Sequence, residues 1–285
     1  MYSYVFSIAN IDFLIESDFE IDWNPFIKKF IKKTSSSIKY KYKCISTENS
    51  LNPKGNLIYH DNATFIFQNN TLEERVFLLP IYEIPMILYK EINSIDRELI
   101  INKKYIQYFT IPESFNIFNS LALEKIMIEN NAFVLHSSFI IYKDYAILFS
   151  APSGTGKSTQ ADLWVKYNNA LLVNGDRTLI KKEEKTWYAY GFPICGSSKI
   201  CLNKKAPLKA IIYLSQAKTN SICKLETSSA IKKIISESSI NFWNSNFLEK
   251  SISIITELSD NIPIYHLSCT KDKNAVIILE NELGG

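Results

Sequence analysis

One short segment restricts the possible folds of this chain more than any other. Residues Ala151–Thr159 read Ala-Pro-Ser-Gly-Thr-Gly-Lys-Ser-Thr and match the pattern GxxxxGK[ST], except that alanine replaces the first glycine. The apolar residues Tyr145–Ser150 precede the segment and predict a strand, while Lys157–Lys166 has the pattern of a helix. A strand that enters such a loop and leaves it as a helix is typical of α/β sheets.

This loop has the properties of a phosphate-binding site. The backbone N–H groups of its glycines and of the first helical residues can point at phosphate oxygens, and the helix N-terminus adds about half a positive charge. The Lys157 ammonium can reach the β- and γ-phosphates of a nucleoside triphosphate, and the Ser158 hydroxyl can bind Mg²⁺. We therefore expect ATP and Mg²⁺ as cofactors. The residues expected to contact the nucleotide are Pro152, Ser153, Gly154, Thr155, Gly156, Lys157, Ser158 and Thr159.

The first position of the loop departs from the pattern. Alanine at position 151 costs little conformational free energy if its φ is negative. It would be unfavourable only if this position required a left-handed conformation. A strand–helix turn of the same shape without any ligand is the alternative interpretation of the whole segment.

A phosphotransferase also needs a carboxylate near the γ-phosphate, to bind Mg²⁺ or to accept a proton. Ala170–Val173 predicts a strand beside the strand of the loop, and Asn174-Gly-Asp-Arg177 follows it at the carboxyl end, where ligands bind in open α/β sheets. We interpret Asp176 as the catalytic carboxylate and as a Mg²⁺ ligand together with Ser158. A plain Asn-Gly-Asp turn is the alternative.

Two more side chains are candidates for the same site. Arg177 is the only arginine in the C-terminal half of the chain, and its planar fork suits a phosphate oxygen; a surface salt bridge is the alternative. His136 lies at the end of the predicted strand Phe133–Ser137, so it is a candidate catalytic residue or a structural histidine. Five of the eight glycines lie between Gly154 and Gly196, which supports a ligand site in this zone.

The whole chain predicts two domains, divided between residues 111 and 112. Residues 1–111 read as short strands, which we interpret as a smaller β-rich domain for substrate or partner recognition. Pro112–Asn130 predicts one helix, after which strands and helices alternate through residue 285, so this domain belongs to the α/β class. The other predicted strands are Tyr2–Ile8, Ser37–Cys44, Ala63–Gln68, Arg75–Pro80, Met86–Tyr89, Thr186–Tyr190, Leu208–Tyr213 and Ile262–Leu267, and the other predicted helices are Thr227–Ser236, Phe247–Leu258 and Asn274–Leu283.

Composition argues against several other classes. A net charge of +3 over 285 residues favours neither nucleic acid nor a membrane surface as the main partner. The N-terminus lacks the features of a secretory signal, and no apolar run reaches the roughly 18 residues of a membrane span. The five cysteines have no CxxC spacing, so we expect reduced thiols and a cytoplasmic protein. The sequence leaves open whether the chain forms a homo-oligomer.

The order of these motifs resembles the kinase domain of HPr kinase/phosphorylase and the looser group of HPr-kinase-like proteins, some encoded beside ribosomal-peptide biosynthesis genes. The resemblance runs from His136 through Ser150–Thr159 to Leu172–Asp176 and continues loosely to the C-terminus, whereas the first 110 residues match no motif. It implies a P-loop fold related to phosphoenolpyruvate carboxykinase, Mg²⁺–ATP as donor, and a serine hydroxyl on a protein or peptide as acceptor.

The resemblance also implies roles for individual residues. The strand-end histidine of the family corresponds to His136, and its loop lysine and serine correspond to Lys157 and Ser158. Of its two adjacent aspartates only the second is present, as Asp176, because Gly175 occupies the first position. Asp176 is then expected to act both as base and as metal ligand, unless the activity is weakened or altered.

Three alternatives were weighed against a protein or peptide kinase. A nucleotide-binding regulatory or scaffold protein without catalysis is consistent with the missing aspartate. A kinase of the nucleoside-monophosphate type would place several arginines on its phosphates, and only Arg177 follows the loop. A GTPase would need an asparagine-lysine-x-aspartate base reader, and Asn203-Lys-Lys-Ala206 lacks the aspartate.

Overall fold

The computed structural model describes residues 1–79, 84–104 and 113–284 of the chain. These residues belong to two compact units, Met1–Leu123 and Glu124–Gly285. The predicted boundary between residues 111 and 112, the helix start at Pro112 and the strand end at Pro80 lie outside the described residues. Among the helices in these ranges, none is long and apolar enough to cross a membrane. All five cysteines lie in these ranges, and no disulfide joins any of them.

The first unit contains a nine-stranded sheet in the order β3-β1-β2-β4-β9-β8-β7-β6-β5. Two neighbouring pairs, β2 with β4 and β4 with β9, are parallel, and the other pairs are antiparallel. Side chains alternate between buried and exposed along much of β4, as expected where one face of a sheet meets a core. The strands are β1 (Tyr2–Ile8), β2 (Ile11–Ser17), β3 (Ile31–Lys32), β4 (Ile38–Thr47), β5 (Asn56–His60), β6 (Thr64–Asn69), β7 (Leu72–Leu79), β8 (Ile84–Glu91) and β9 (Asp96–Asn102), with helix α1 (Pro25–Lys28) between β2 and β3.

The single helix predicted over Pro112–Asn130 is wrong, because two helices occupy this stretch. Helix α2 (Glu113–Asn119) and helix α3 (Leu123–Glu129) are separated by a turn in which Ala122 has φ 51°. Phe118 of α2 packs on Trp23 of the first unit, with ring centroids 6.5 Å apart, and the Tyr42 hydroxyl donates to the Leu121 carbonyl at 2.9 Å. These contacts fix α2 in the first unit, so the chain must turn before α3 begins.

The second unit contains an eight-stranded sheet built around the long strand β10. Along one edge β10 pairs with β11, and along the other it pairs with β13 and β12 in turn. Strand β15 pairs with β14 through its first residues and with β11 further on, so β10, β13, β14, β15 and β11 close a ring. The strands are β10 (Ala132–Tyr142), β11 (Tyr145–Ser150), β12 (Leu171–Asn174), β13 (Arg177–Glu183), β14 (Thr186–Gly191), β15 (Lys205–Gln216), β16 (Ser221–Lys224) and β17 (Ile264–Cys269).

The predicted neighbour relation between β12 and β11 is wrong. Both edges of β11 are already occupied, by β10 on one side and by β15 on the other, so β12 pairs with the far edge of β10. Because both β11 and β12 run antiparallel to β10, they are parallel to each other. The carboxyl ends of β11 and β12 therefore still lie at the same end of the sheet, with β10 between them.

Two apolar cores hold the helices of the second unit against the sheet. Leu148 of β11 belongs to the core that contains Ile234 and Ile255, whereas Phe149 belongs to the core that contains Trp164 and Leu279. Strand β11 is thus buried on both faces, which explains its continuous apolar sequence. The helices are α4 (Lys157–Asn168) and α7 (Lys273–Glu282) on one face, and α5 (Thr227–Glu237) and α6 (Ser245–Asn261) on the other.

Candidate functional site

The loop between β11 and α4 requires glycine at two positions. Gly154 has φ 79° and Gly156 has φ 121°, a region that side-chain-bearing residues rarely adopt. A Cβ atom built on either glycine would meet no heavy atom within 4 Å, so open space faces both. Gly156 is the N-cap of α4 and supplies no side-chain hydrogen bond to the helix. The first N–H groups of α4 therefore have no side-chain cap and are available to an anion.

Ala151 begins this loop inside the core. Its side chain is fully buried in the core that contains Phe149 and Trp164. Its φ is not positive, so the condition under which alanine costs little at this position is met. The methyl group therefore anchors the start of the loop by packing.

Lys157, the first residue of α4, is buried and folds back over the loop. Its Nζ donates to the Ala151 carbonyl at 2.7 Å and lies 3.4 Å from the Pro152 carbonyl. Burial lowers the pKa of Lys157, while the negative charges of Glu237 and Asp176 act in the opposite direction. The ammonium group is therefore held by the loop carbonyls and interacts by charge with both carboxylates.

Asp176 interacts with both of the side chains predicted to accompany it. Its Oδ1 lies 3.5 Å from His136 Nε2, and its Oδ2 lies 3.5 Å from Arg177 Nε. Hydrogen bonding to His136 and the charge of Arg177 lower the pKa of Asp176, whereas burial raises it. His136 of β10 is paired in register with Arg177 of β13. This pairing places His136 beside Asp176, which precedes Arg177 in the chain.

Arg177 is held at its far end by one hydrogen bond, from Nη1 to the Ser239 hydroxyl at 2.9 Å. Its Nε is buried and makes no hydrogen bond to the described part of the chain, although it pairs with Asp176 by charge. A guanidinium has five N–H donors, so Arg177 has donors left beyond the one that bonds Ser239.

Asn174 fixes the turn that carries Asp176. Its fully buried side chain accepts the N–H groups of Asp176 and Arg177 at 2.8 Å and 3.0 Å. Its amide nitrogen donates to the carbonyls of Phe192 and Ile194. The turn is therefore tied to the chain segment behind it, and the Asp176 carboxylate is presented from a rigid support.

Glu237, at the end of α5, is a member of the site that sequence reasoning missed. Its Oε2 lies 3.3 Å from His136 Nδ1, and its side chain is only 9% exposed. His136 thus lies between two carboxylates, Glu237 on one ring nitrogen and Asp176 on the other. No motif identifies Glu237, because α5 reaches β10 only through tertiary packing.

The other predicted site residues are distributed along the loop and the helix start. Pro152, Ser153 and Ser158 are exposed, and Thr155 and Thr159 are half-buried. Lys157 and Asp176 shift each other's pKa through their charges, so the loop and the Asp176 turn interact electrostatically. No group of three or more His, Cys, Asp or Glu side chains able to hold a metal ion occurs within the described ranges. The assigned roles of all these residues stay predictions.

Gly175 occupies the position of the first aspartate in the family that the chain resembles. The structure leaves no room for a side chain at this position. A Cβ atom on Gly175 would lie 2.2 Å from Ser198 Oγ and 2.4 Å from Ser198 Cβ. The Ser198 hydroxyl is itself fixed, because it donates to the Cys195 carbonyl at 2.7 Å. The turn that contains Ser198 therefore fills the space in which the side chain of the missing first aspartate would begin.

We expect Gly175→Ala to lower the free energy of unfolding by about 1–3 kcal/mol, as is usual for an added methylene in a packed site. The double variant Gly175→Ala/Ser198→Gly, compared with Ser198→Gly alone, should recover most of this loss because the clashing atoms are gone. Denaturant unfolding of the four proteins measures both effects. An unchanged free energy of unfolding in Gly175→Ala would show that the two segments are not packed in this way.

Residues 116–274 match a family model described as "ScmC: SynChlorMet cassette protein ScmC". The chain belongs to this family. The match covers more than half of the 285 residues and includes β10, the loop, α4, the Asp176 turn and α5. The description links the family to a biosynthetic cassette.

Other comparisons add little to this assignment. No curated protein matches the chain. Among solved structures, the Hpr(Ser) kinase/phosphatase from Coxiella burnetii is similar with a TM-score of 0.32 and 11% sequence identity, over 52% of this chain and 95% of that chain. A likeness of this strength carries no argument, so the relation to HPr kinases remains the resemblance of motifs described above.

Proposed function

We propose that this protein is a Mg²⁺–ATP-dependent phosphotransferase that transfers the γ-phosphate to a hydroxyl, of the serine type, on a protein or peptide. The observation that carries the proposal is a buried lysine on a glycine loop at a helix N-terminus, together with the His136–Asp176–Arg177 cluster, whose Asp176 and Arg177 charges act on the pKa of that lysine. Such a combination unites phosphate binding with a carboxylate able to act on a hydroxyl.

The loop residues suit a triphosphate. The N–H groups at the start of α4 that no side chain caps, and the open space over Gly154 and Gly156, fit phosphate oxygens. Lys157 would exchange its bonds to the loop carbonyls for phosphate oxygens. Arg177, whose side chain is 36% exposed and pairs with Asp176, would donate to a further oxygen of the transferred group.

Asp176 would be the group that receives the proton. As the acceptor hydroxyl attacks phosphorus and the bond to the leaving ADP oxygen breaks, the hydroxyl proton passes to the Asp176 carboxylate. The lowered pKa of Asp176 keeps this carboxylate ionised at neutral pH. His136, between Asp176 and Glu237, keeps the carboxylate oriented.

Ser158 and Asp176 would be the protein ligands of Mg²⁺. Both offer hard oxygen atoms, and Mg²⁺ commonly takes only one or two protein ligands, with waters and substrate phosphates for the rest. The lack of a larger acidic or histidine cluster in the described ranges therefore suits this ion. When bound, Mg²⁺ neutralises charge on the β- and γ-phosphates.

The acceptor is proposed from the family rather than from the site. The family description names a biosynthetic cassette, so we infer a substrate among the products of that cassette or the proteins that serve it. We take a peptide or protein as the acceptor, as the resemblance to HPr-kinase-like proteins implies, and cytoplasm as the location.

A nucleotide-binding regulator with little or no transfer activity is the second candidate. It is favoured by Gly175, because Ser198 occupies the space in which a second carboxylate would begin. Turnover separates the two candidates, since a regulator would bind Mg²⁺–ATP without moving its γ-phosphate.

Two experiments test the proposal, the first on nucleotide binding and the second on phosphate transfer. Mg²⁺–ATP at 100 times its dissociation constant should stabilise the fold by about 2.7 kcal/mol, seen as a rise in the melting temperature. Incubation with γ-labelled ATP and the peptides encoded beside the gene should then label a serine or threonine. No thermal shift at millimolar Mg²⁺–ATP would contradict both candidates, and a shift with neither labelling nor ATP loss would leave the regulator.

A further inference from the structure

We propose that a cavity next to the glycine loop receives the base of the nucleotide. This inference rests on the function proposed above. The cavity has a volume of about 220 Å³. It is lined on one side by the loop and the first turns of α4, including Thr155, Gly156 and Gln160, and on the other by Gln216 and Cys269 at the carboxyl ends of β15 and β17.

The cavity and the loop form one connected surface. The Gln216 side chain lines the cavity and donates to the Gly154 and Thr155 carbonyls at 3.3 Å and 3.2 Å. Thr155 and Gly156 belong both to the cavity wall and to the loop proposed to hold the phosphates. The nucleoside attached to such phosphates would therefore lie within reach of this cavity.

The side-chain amide of Gln160 contributes a hydrogen-bond acceptor to the cavity wall. Its Nε2 donates to the Thr270 carbonyl at 3.0 Å, and a carbonyl can only accept, so the amide orientation is fixed. This leaves Oε1 as an acceptor, and within the described residues Oε1 is buried without any hydrogen-bond donor. A ligand with an N–H edge is the chemistry that supplies this donor.

The size of the space suits a planar heterocycle. A cavity of roughly 150 Å³ is enough to bind benzene in an engineered protein interior. The larger volume here has room for a base with N–H groups on its edge. Nucleobases combine flat faces with such edges, whereas a sugar or an aliphatic chain does not.

A second cavity of about 150 Å³ in the same unit does not compete for this role. It is lined by Tyr142, Tyr145 and Trp164 among others. On β11 its wall is formed by Tyr145 and Ile147, and no residue of the loop that follows Ser150 lines it. The base of a nucleotide whose phosphates lie on the loop would therefore reach the adjoining cavity more easily than this one.

The test compares two ligands on the full chain, Mg²⁺–ATP and Mg²⁺–tripolyphosphate, which lacks the nucleoside. Ala217→Trp adds a large ring at an exposed position on the cavity wall, so folding should be preserved. Ile252→Trp on α6, at a side chain that is also exposed, controls for the added ring. Isothermal titration calorimetry gives each dissociation constant, and GTP, CTP and UTP as further ligands show which base is preferred.

We expect wild type and Ile252→Trp to bind Mg²⁺–ATP about 10- to 100-fold more tightly than Mg²⁺–tripolyphosphate. Ala217→Trp should lose that difference by weakening ATP binding alone, with tripolyphosphate affinity unchanged. Equal binding of both ligands to the wild type, or an unchanged ratio in Ala217→Trp, would overturn the base site while leaving the phosphate loop intact. Failure of both ligands to bind the wild type would overturn the proposed function together with this inference.

Discussion

Replacing Lys157 by alanine is expected to lower the phosphate-transfer rate by about 10²–10³-fold, the usual effect of removing one charged or polar group that stabilises a transition state. The lysine is buried on the loop, where its ammonium donates to the Ala151 carbonyl, and the charges of Glu237 and Asp176 act on its pKa. Its loss removes the positive charge that would face the β- and γ-phosphates. Transfer of label from γ-labelled ATP measures the rate, and calorimetry measures the accompanying loss of ATP affinity.

A lysine of the same helix provides the control for this variant. Lys166 lies in the last turn of α4 and is exposed, so Lys166→Ala changes helix propensity and net charge equally without touching the loop. In the absence of nucleotide, Lys166→Ala should unfold at nearly the wild-type temperature, and Lys157→Ala at a somewhat lower one, because the Ala151 carbonyl loses its donor. Wild-type transfer by Lys157→Ala would contradict the assignment of the loop as the phosphate site.

The second large effect is expected at Asp176. Asp176→Asn keeps the size of the side chain but removes the charge and the proton-accepting oxygen, and should lower transfer by about 10²–10⁴-fold. ATP affinity should change far less than in Lys157→Ala if Asp176 acts mainly on the acceptor hydroxyl. Rapid single-turnover kinetics with saturating ATP separates the chemical step from binding.

Asp162→Asn is the matched control, because Asp162 is exposed on α4 and has no place in the site. Transfer at the wild-type rate by Asp176→Asn would show that another group accepts the proton. Among the described residues, Glu237 would then be the next carboxylate to test, because it contacts the other ring nitrogen of His136.

The loop and its flanks could be predicted from sequence because their signal is local. The GKST run, the apolar strand before it and the helix after it all lie within one short stretch, and β11 and α4 begin where the pattern indicates. His136 and Asp176 were predicted as members of one site, but a contact between them was not predicted. Their contact depends on the pairing of β10 with β13, and the sequence analysis did not identify β13 as a strand.

The remaining features depend on contacts that no local pattern encodes. The neighbour of β11 was predicted wrongly, since a pattern of strands does not reveal that β10 is long enough to pair with three other strands. Glu237 joined the site only through the packing of α5. Gly175 was noted as a missing aspartate, but the presence of Ser198 in its space follows from a turn more than twenty positions later.

The position of His136 within β10 limits how the gene can change by insertion or deletion. Side chains alternate between the two faces of a strand, so one added or lost residue between Phe133 and Ser137 would turn His136 to the opposite face. The paired register with Arg177 would shift at the same time. Length variation among natural variants should therefore be tolerated in surface turns such as Lys143–Asp144, and be absent from this stretch of β10.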